Sequence, residues 1–153
     1  MESLRKFRAG AETAFEYQAT FLNPYFDDGS LIEVYADDHG YEYWIDPASD
    51  LVVQVGPGAG ERAASHSPRQ ADRLPVAELR ARAVAALEAN VPGFAGRKSS
   101  LHPLEDNRRR EIYFFRWDDF SGPVKDGELP PFVQVGIWAD GVLASFTNTL
   151  RKN

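Results

Sequence analysis

The sequence predicts an α+β fold, with helices packed on antiparallel sheet and an α-β-β-β unit that reads as duplicated. Three observations predict it. One segment, Val76–Asn90, carries an apolar stripe at helical spacing. Several other segments alternate apolar and polar residues, or are rich in β-branched and aromatic side chains. Short Asp- and Gly-bearing turns separate them, as in antiparallel hairpins.

The elements follow in order. A helix is expected near Glu2–Glu12, with Leu4, Phe7 and Ala11 inward and Gly10 weakening its end. Phe15, Tyr17, Ala19 and Phe21 alternate with more polar residues and suggest a strand. Leu31–Ala36 and Tyr41–Asp46 flank Asp-Asp-His-Gly, a hairpin-loop composition. Leu51–Val55 follows the turn Pro47-Ala-Ser-Asp50. In the central helix Val76, Leu79, Ala83, Leu87 and Val91 form the stripe, Pro75 suits the first turn, and Pro92-Gly93 the stop. A strand is expected at Ser99–His102, and stronger ones at Ile112–Trp117 and Phe132–Trp138. Val142–Asn148 pairs with the last across Asp140-Gly141, read as a two-residue turn.

Between Pro57 and Arg73 the chain is rich in Gly, Ala, Ser and charge, and reads as a flexible connection. The expected organisation is a helix-plus-meander half over 1–56, a linker over 57–74 and a second half over 75–150, either separate or sharing one compact domain. Val53-Gln-Val-Gly56 recurs as Val133-Gln-Val-Gly136. At the same offset Ile32 meets Ile112, Asp38 meets Asp118 and Asp46 meets Asp126. Duplication and coincidence among β-rich segments both account for this.

Bulk composition excludes several functions. With 153 residues, 43% hydrophobic and 26% charged, the chain can bury a core. Its net charge of −6 argues against a nucleic-acid partner, which would need clustered cations; Arg108-Arg109-Arg110 is the one basic run. The lack of cysteine removes disulfides, thiolate nucleophiles and Cys-based zinc sites. No stretch approaches the roughly 20 apolar residues of a membrane span. MESLRKFRAG has no apolar run, so the sequence as it stands reads as cytoplasmic, or as an envelope protein if a leader has been trimmed.

The segments Pro92-Gly-Phe94, Ile112–Trp117, Pro130-Pro-Phe-Val-Gln-Val135, Asp140-Gly141 and Ser145-Phe-Thr-Asn148, in that order, resemble PepSY-type domains, the peptidase-propeptide-like modules of bacterial proteins. Tyr41–Val53 is similar to the strand, acidic turn and strand that end such a module. The resemblance implies a non-catalytic module that inhibits, chaperones or regulates a peptidase or an envelope process. It carries over no catalytic residue and no cofactor.

The stretch Arg108–Phe120 supports two readings. Along a strand, Tyr113, Phe115 and Trp117 share one face, and Ile112, Phe114 and Arg116 the other. In the first reading one face packs on the helix, worth on the order of 2 kcal/mol per large side chain, and the charges sit at the strand ends. In the second, an aromatic face lined by Tyr113, Trp117, Trp138 and Phe146 holds a peptide or small molecule.

Other constellations carry less. The pairs Asp27-Asp28, Asp37-Asp38 and Asp118-Asp119 lack EF-hand spacing and suit ordinary turns, so no metal is expected. His39, His66 and His102 share no short ligand spacing. Ser99, Ser100 and His102 are near in sequence but form no nucleophile elbow. Gly56-Pro-Gly-Ala-Gly60 lacks the Gly-Lys-Ser/Thr ending of a phosphate loop.

The expected function is therefore a binding or regulatory module that acts on a peptide or protein through a sheet edge or aromatic face. One alternative is a cystatin- or nuclear-transport-factor-like cone, binding a small molecule or acting as an enzyme, with His102 or Asp118 beside Trp117 or Trp138. Another is a homodimer formed through the spare sheet face.

Overall fold

The computed structural model describes Leu4, Phe7 and residues 13–58, 66–105 and 111–150. The expected helix at Glu2–Glu12 lies mostly outside these residues, but Leu4 and Phe7 are both helical. Arg108-Arg109-Arg110 and most of the glycine-rich run also lie outside them. The chain forms two compact units, residues 1–65 and 66–153. Both contain antiparallel sheet, and the fold is α+β.

The first unit is a four-stranded meander, β1 (Phe15–Leu22), β2 (Leu31–Asp37), β3 (Tyr41–Asp46) and β4 (Leu51–Pro57), each strand paired with the next. Both of its faces are covered. On one face Ile32, Val34 and Val53 form a cluster with Phe21, Tyr25 and Trp44. Tyr25 is held there by its phenol, which donates to Gln54 Oε1. On the other face Tyr43, Ile45, Val52 and Val55 are buried, and Phe7 and Phe15 meet the Tyr43 ring edge-on.

The β1–β2 register skips Gln18. Tyr17 pairs with Tyr35, while Ala19 pairs with Val34. An extra residue on one strand inverts the face of everything beyond it. Phe15 and Tyr17 therefore lie on the Tyr43 side, and Ala19 and Phe21 on the Trp44 side. The simple alternation read from the sequence would have put all four on one face.

The second unit begins with a 3-10 turn at Gln70–Asp72, then α1 (Val76–Asn90) and a short α2 (Phe94–Arg97). Pro75 stands just before α1, and its carbonyl accepts the Glu78 and Leu79 amides. Gly93, at φ 74°, makes the left-handed step between the helices that a β-carbon would strain. A second meander follows: β5 (His102–Glu105), β6 (Ile112–Asp118), β7 (Phe132–Trp138) and β8 (Leu143–Asn148). Ser99 and Ser100 lie in a 3-10 turn, so the strand expected there starts only at His102.

The helix stripe and one sheet face make the core. Leu79, Ala83 and Leu87 are fully buried, with Val91 and Phe94 close behind. They lie against β6 and β7, where Tyr113, Phe115, Trp117, Val133, Val135 and Ile137 are buried. Trp117 meets the Phe94 ring edge-on at 5.6 Å.

The β7–β8 turn differs from the two-residue form. Gly141 N–H donates to Trp138 C=O, and Trp138 N–H donates to Val142 C=O, so three residues, Ala139 to Gly141, make the loop. Only Gly141 has a positive φ, 91°; Asp140 does not. This is the turn-plus-bulge hairpin, in which one left-handed glycine suffices. A β-carbon on Gly141 would also sit 2.4 Å from Arg82 Nη1.

Both units contain four meandering strands, but the eighty-residue offset does not align them strand for strand. Val53–Gly56 lies on β4, the fourth strand of its unit, whereas Val133–Gly136 lies on β7, the third. A closer match joins β2 to β6: both have seven residues and end on a buried aspartate, Asp37 and Asp118.

Candidate functional site

The four aromatics expected to share a face do not form one surface. Tyr113, Trp117 and Phe146 lie on the helix-covered side, and all three are buried. Trp138 pairs with Ile112 and lies on the opposite side, with Phe114 and Arg116. The division of β6 into two faces is as the alternation predicts.

The open side of the second unit holds a different set. Phe114 is 40% exposed and lies across Gly136, where an added β-carbon would meet its ring at 3.0 Å. The Arg116 guanidinium stands 3.8 Å above the Phe132 ring and pairs with Asp118. Leu104, opposite Arg116 on β5, is also exposed. This strip is apolar with a cation engaged at both its ring and its carboxylate.

The two acids after Trp117 turn to different partners. Asp118 is buried and tied to Arg116. Asp119 accepts Arg97 at 2.7 Å and the Ser121 amide at 2.9 Å. Its Ser121 bonds, hydroxyl first and amide second, and the nearby Arg97 outweigh burial and hold its carboxyl below the usual 3.8. Each acid is fixed by its own arginine. Ser100 Oγ donates to Arg97 C=O, and the exposed His102 packs its ring against Phe120 at 6.0 Å.

His66, read as linker, has a partner. Its Nε2 lies 2.6 Å from Asp140 Oδ2, and its ring packs on Trp138 at 5.3 Å. At Asp140 burial pushes the carboxyl up, but the His66 bond, the Val142 amide and the His66 charge bring it below 3.8. Nothing local in the sequence signals a contact across 74 positions.

In the first unit, Asp37, Asp38 and His39 bring one ligand atom each within 4.8 Å of one another. Turn chemistry accounts for them. Asp37 Oδ1 accepts the His39 and Tyr41 amides, Asp37 Oδ2 accepts the Tyr43 phenol, and His39 Nδ1 lies 2.6 Å from Asp38.

An exposed edge strand of the first unit is β1. Among the described residues it pairs with β2 alone and stands at the end of the strand order. Glu16 to Thr20 are five consecutive exposed residues. Tyr17, Thr20 and Leu22 share one side of the strand beyond and before the bulge, and Tyr17 Oη lies 2.9 Å from Thr20 Oγ1. Behind them on β2 stand Leu31, Glu33 and Tyr35. Tyr35 donates to Glu33 Oε2 at 2.7 Å; that bond, then burial and the Glu33 charge, push its phenol up to about 12. An edge strand with unpaired backbone amides and carbonyls is a ready template for another strand.

The fold and this edge define an α+β module with an open strand. No family model matches the chain, and no curated protein matches it. Among solved structures it is similar to the Bacillus megaterium YpeB C-terminal domain, with a TM-score of 0.61 at 13% identity. The likeness covers 99% of this chain and 64% of that one, so the chain spans about two thirds of the length of its structural neighbour. At that identity the two share a fold. Among the described residues no helix is long and apolar enough to cross a membrane.

Proposed function

We propose that this chain is a non-catalytic binding module of PepSY-like type, which takes a peptide or protein partner as an added strand on β1. The fold likeness to the YpeB C-terminal domain, a PepSY-containing protein, supports the family part of the reading. The edge of β1 carries the binding part: an eight-residue strand that, among the described residues, pairs with β2 alone, with Glu16–Thr20 exposed. Main-chain hydrogen bonds along such an edge supply affinity, and alternate side chains supply specificity. Tyr17 and Leu22 offer apolar contact on one side of the strand, each more than half exposed.

A random peptide library sorted against the full chain tests this. The reading expects ligands that bind the native protein and are lost with Gln18→Pro. Gln18 sits at the bulge and has no partner residue in β2, so proline, which bulges and edge strands tolerate, alters the edge where the β1–β2 register depends on it least. Ligands indifferent to Gln18→Pro, or no ligands, would count against it.

A further inference from the structure

We infer that His66 and Asp140 form a pH-sensitive clasp, which straps residues 66–74 onto the β7–β8 turn and loosens as the imidazole loses its proton. The strap is held at both ends. At its first residue His66 Nε2–H donates to Asp140 Oδ2 at 2.6 Å, and at its last the Leu74 amide donates to the Ala139 carbonyl at 2.8 Å. Between them the chain passes through the turn Gln70–Asp72, in which no residue is buried. Ala139 and Asp140 are neighbours in the three-residue loop of the hairpin, so one turn receives both ends of the strap.

The two holds differ in chemistry. The Leu74 bond joins backbone groups and does not titrate. A histidine changes charge between about pH 5 and pH 8. Asp140 is ionised across that range: burial raises its carboxyl, but the His66 bond and the Val142 amide hold it below 3.8. With the ring protonated, the clasp is a charge-assisted bond between side chains 32% and 15% exposed, which water screens only in part. A neutral ring keeps the bond through Nε2–H but loses the Coulomb attraction. The clasp is therefore strong at the acidic end of the imidazole range, and weakens as pH rises through it. The other described charged groups around the turn are of types that do not titrate there, and they are paired: Arg73 with Glu111, Arg82 beside Gly141 with Glu78, and Arg69 with Asp72. Glu61 and Arg62, the charged residues that most closely precede His66 in sequence, lie outside the described residues.

Opening the clasp takes a cover off Trp138. The His66 ring packs on the Trp138 ring at 5.3 Å, and Trp138 lies on the side of the sheet that carries Phe114 and Arg116. The indole Nε1–H is buried there with no protein acceptor. A buried donor without a partner destabilises the closed strap, and water reaching it offsets part of what opening loses. The closed and open states are thereby brought nearer in free energy, which lets a single charge shift the balance between them. Leu74, held by its backbone bond and followed by Pro75, is the fixed end about which residues 66–73 lift.

The test is hydrogen exchange by NMR on the full chain at about pH 5.5 and about pH 8. It follows the amides of residues 66–73 and the Trp138 indole proton, each corrected for its intrinsic chemical exchange rate, with the amides of α1 as the measure of global unfolding. The expected result is opening of the strap several-fold more frequent at the higher pH, with the indole proton following the amides and α1 unchanged. His66→Gln, which keeps a donor but cannot titrate, and Asp140→Asn, which removes the charge, should each make opening independent of pH. Equal opening at the two pH values in the native protein would overturn the inference, and this comparison decides alone should a variant not fold. A pH dependence that persists in His66→Gln would overturn it as well, as would one that extends equally through α1.

Discussion

The Asp37 carboxylate accepts the Tyr43 phenol at 2.8 Å while its other oxygen accepts the His39 and Tyr41 amides. One buried side chain thereby closes the β2–β3 turn and anchors a ring at the centre of the first unit. Its removal leaves buried donors without an acceptor. Asp37→Ala is expected to cost about 1–3 kcal/mol, and Tyr43→Phe about 0.5–1.5 kcal/mol. Urea unfolding followed by circular dichroism checks both; a neutral Asp37→Ala would contradict this role.

Acid sensitivity follows from Asp119 and Asp140. Both carboxyls are held below 3.8 in the folded protein. A carboxyl depressed by folding stabilises above its unfolded value, and that contribution disappears as pH falls through the folded one. Stability should therefore decline below about pH 4. Asp119→Asn and Asp140→Asn should each flatten that decline, measured as unfolding midpoints between about pH 5 and pH 2.

The alkaline side reports on β2. Tyr35 is raised to about 12 by its bond to Glu33 and by burial. A phenol raised by folding stabilises below its unfolded value of 10.0 and loses that contribution as pH rises through the folded value. Ultraviolet titration should show one tyrosine ionising near 12, and Glu33→Ala should bring it down.

Neighbours on β6 separate core from surface. Phe115 is 1% exposed beneath α1, while Phe114 is 40% exposed on the other side. Phe115→Ala is expected to cost about 3–5 kcal/mol, and Phe114→Ala about 1 kcal/mol or less. Thermal unfolding of the two variants gives the comparison. Similar losses would mean that the open side is covered.

Much of the fold is legible in the sequence because it depends on period. The spacing of Leu79, Ala83 and Leu87 marks the buried stripe of α1, and the alternation in Ile112–Trp117 separates the rings beneath it from Phe114 and Arg116. What alternation misses is a change of phase. The bulge at Gln18 inverts β1 without any glycine to announce it, and Trp138 falls on the side opposite Tyr113, Trp117 and Phe146. Contacts between distant segments leave no local mark either. His66 reads as linker until Asp140 is brought to it. Composition read over the whole chain also hides segregation: a net −6 conceals a first meander without a single Lys or Arg.

The central claim is that β1 is where this protein takes its partner. Amide hydrogen exchange across Phe15–Leu22, with and without a peptide selected from the library, tests it most directly. The account predicts added protection at the amides of β1 that face away from β2, with little change in α1 or β6–β8. Protection that leaves Phe15–Leu22 unchanged and appears instead around Phe114, Phe132 and Trp138 would contradict it.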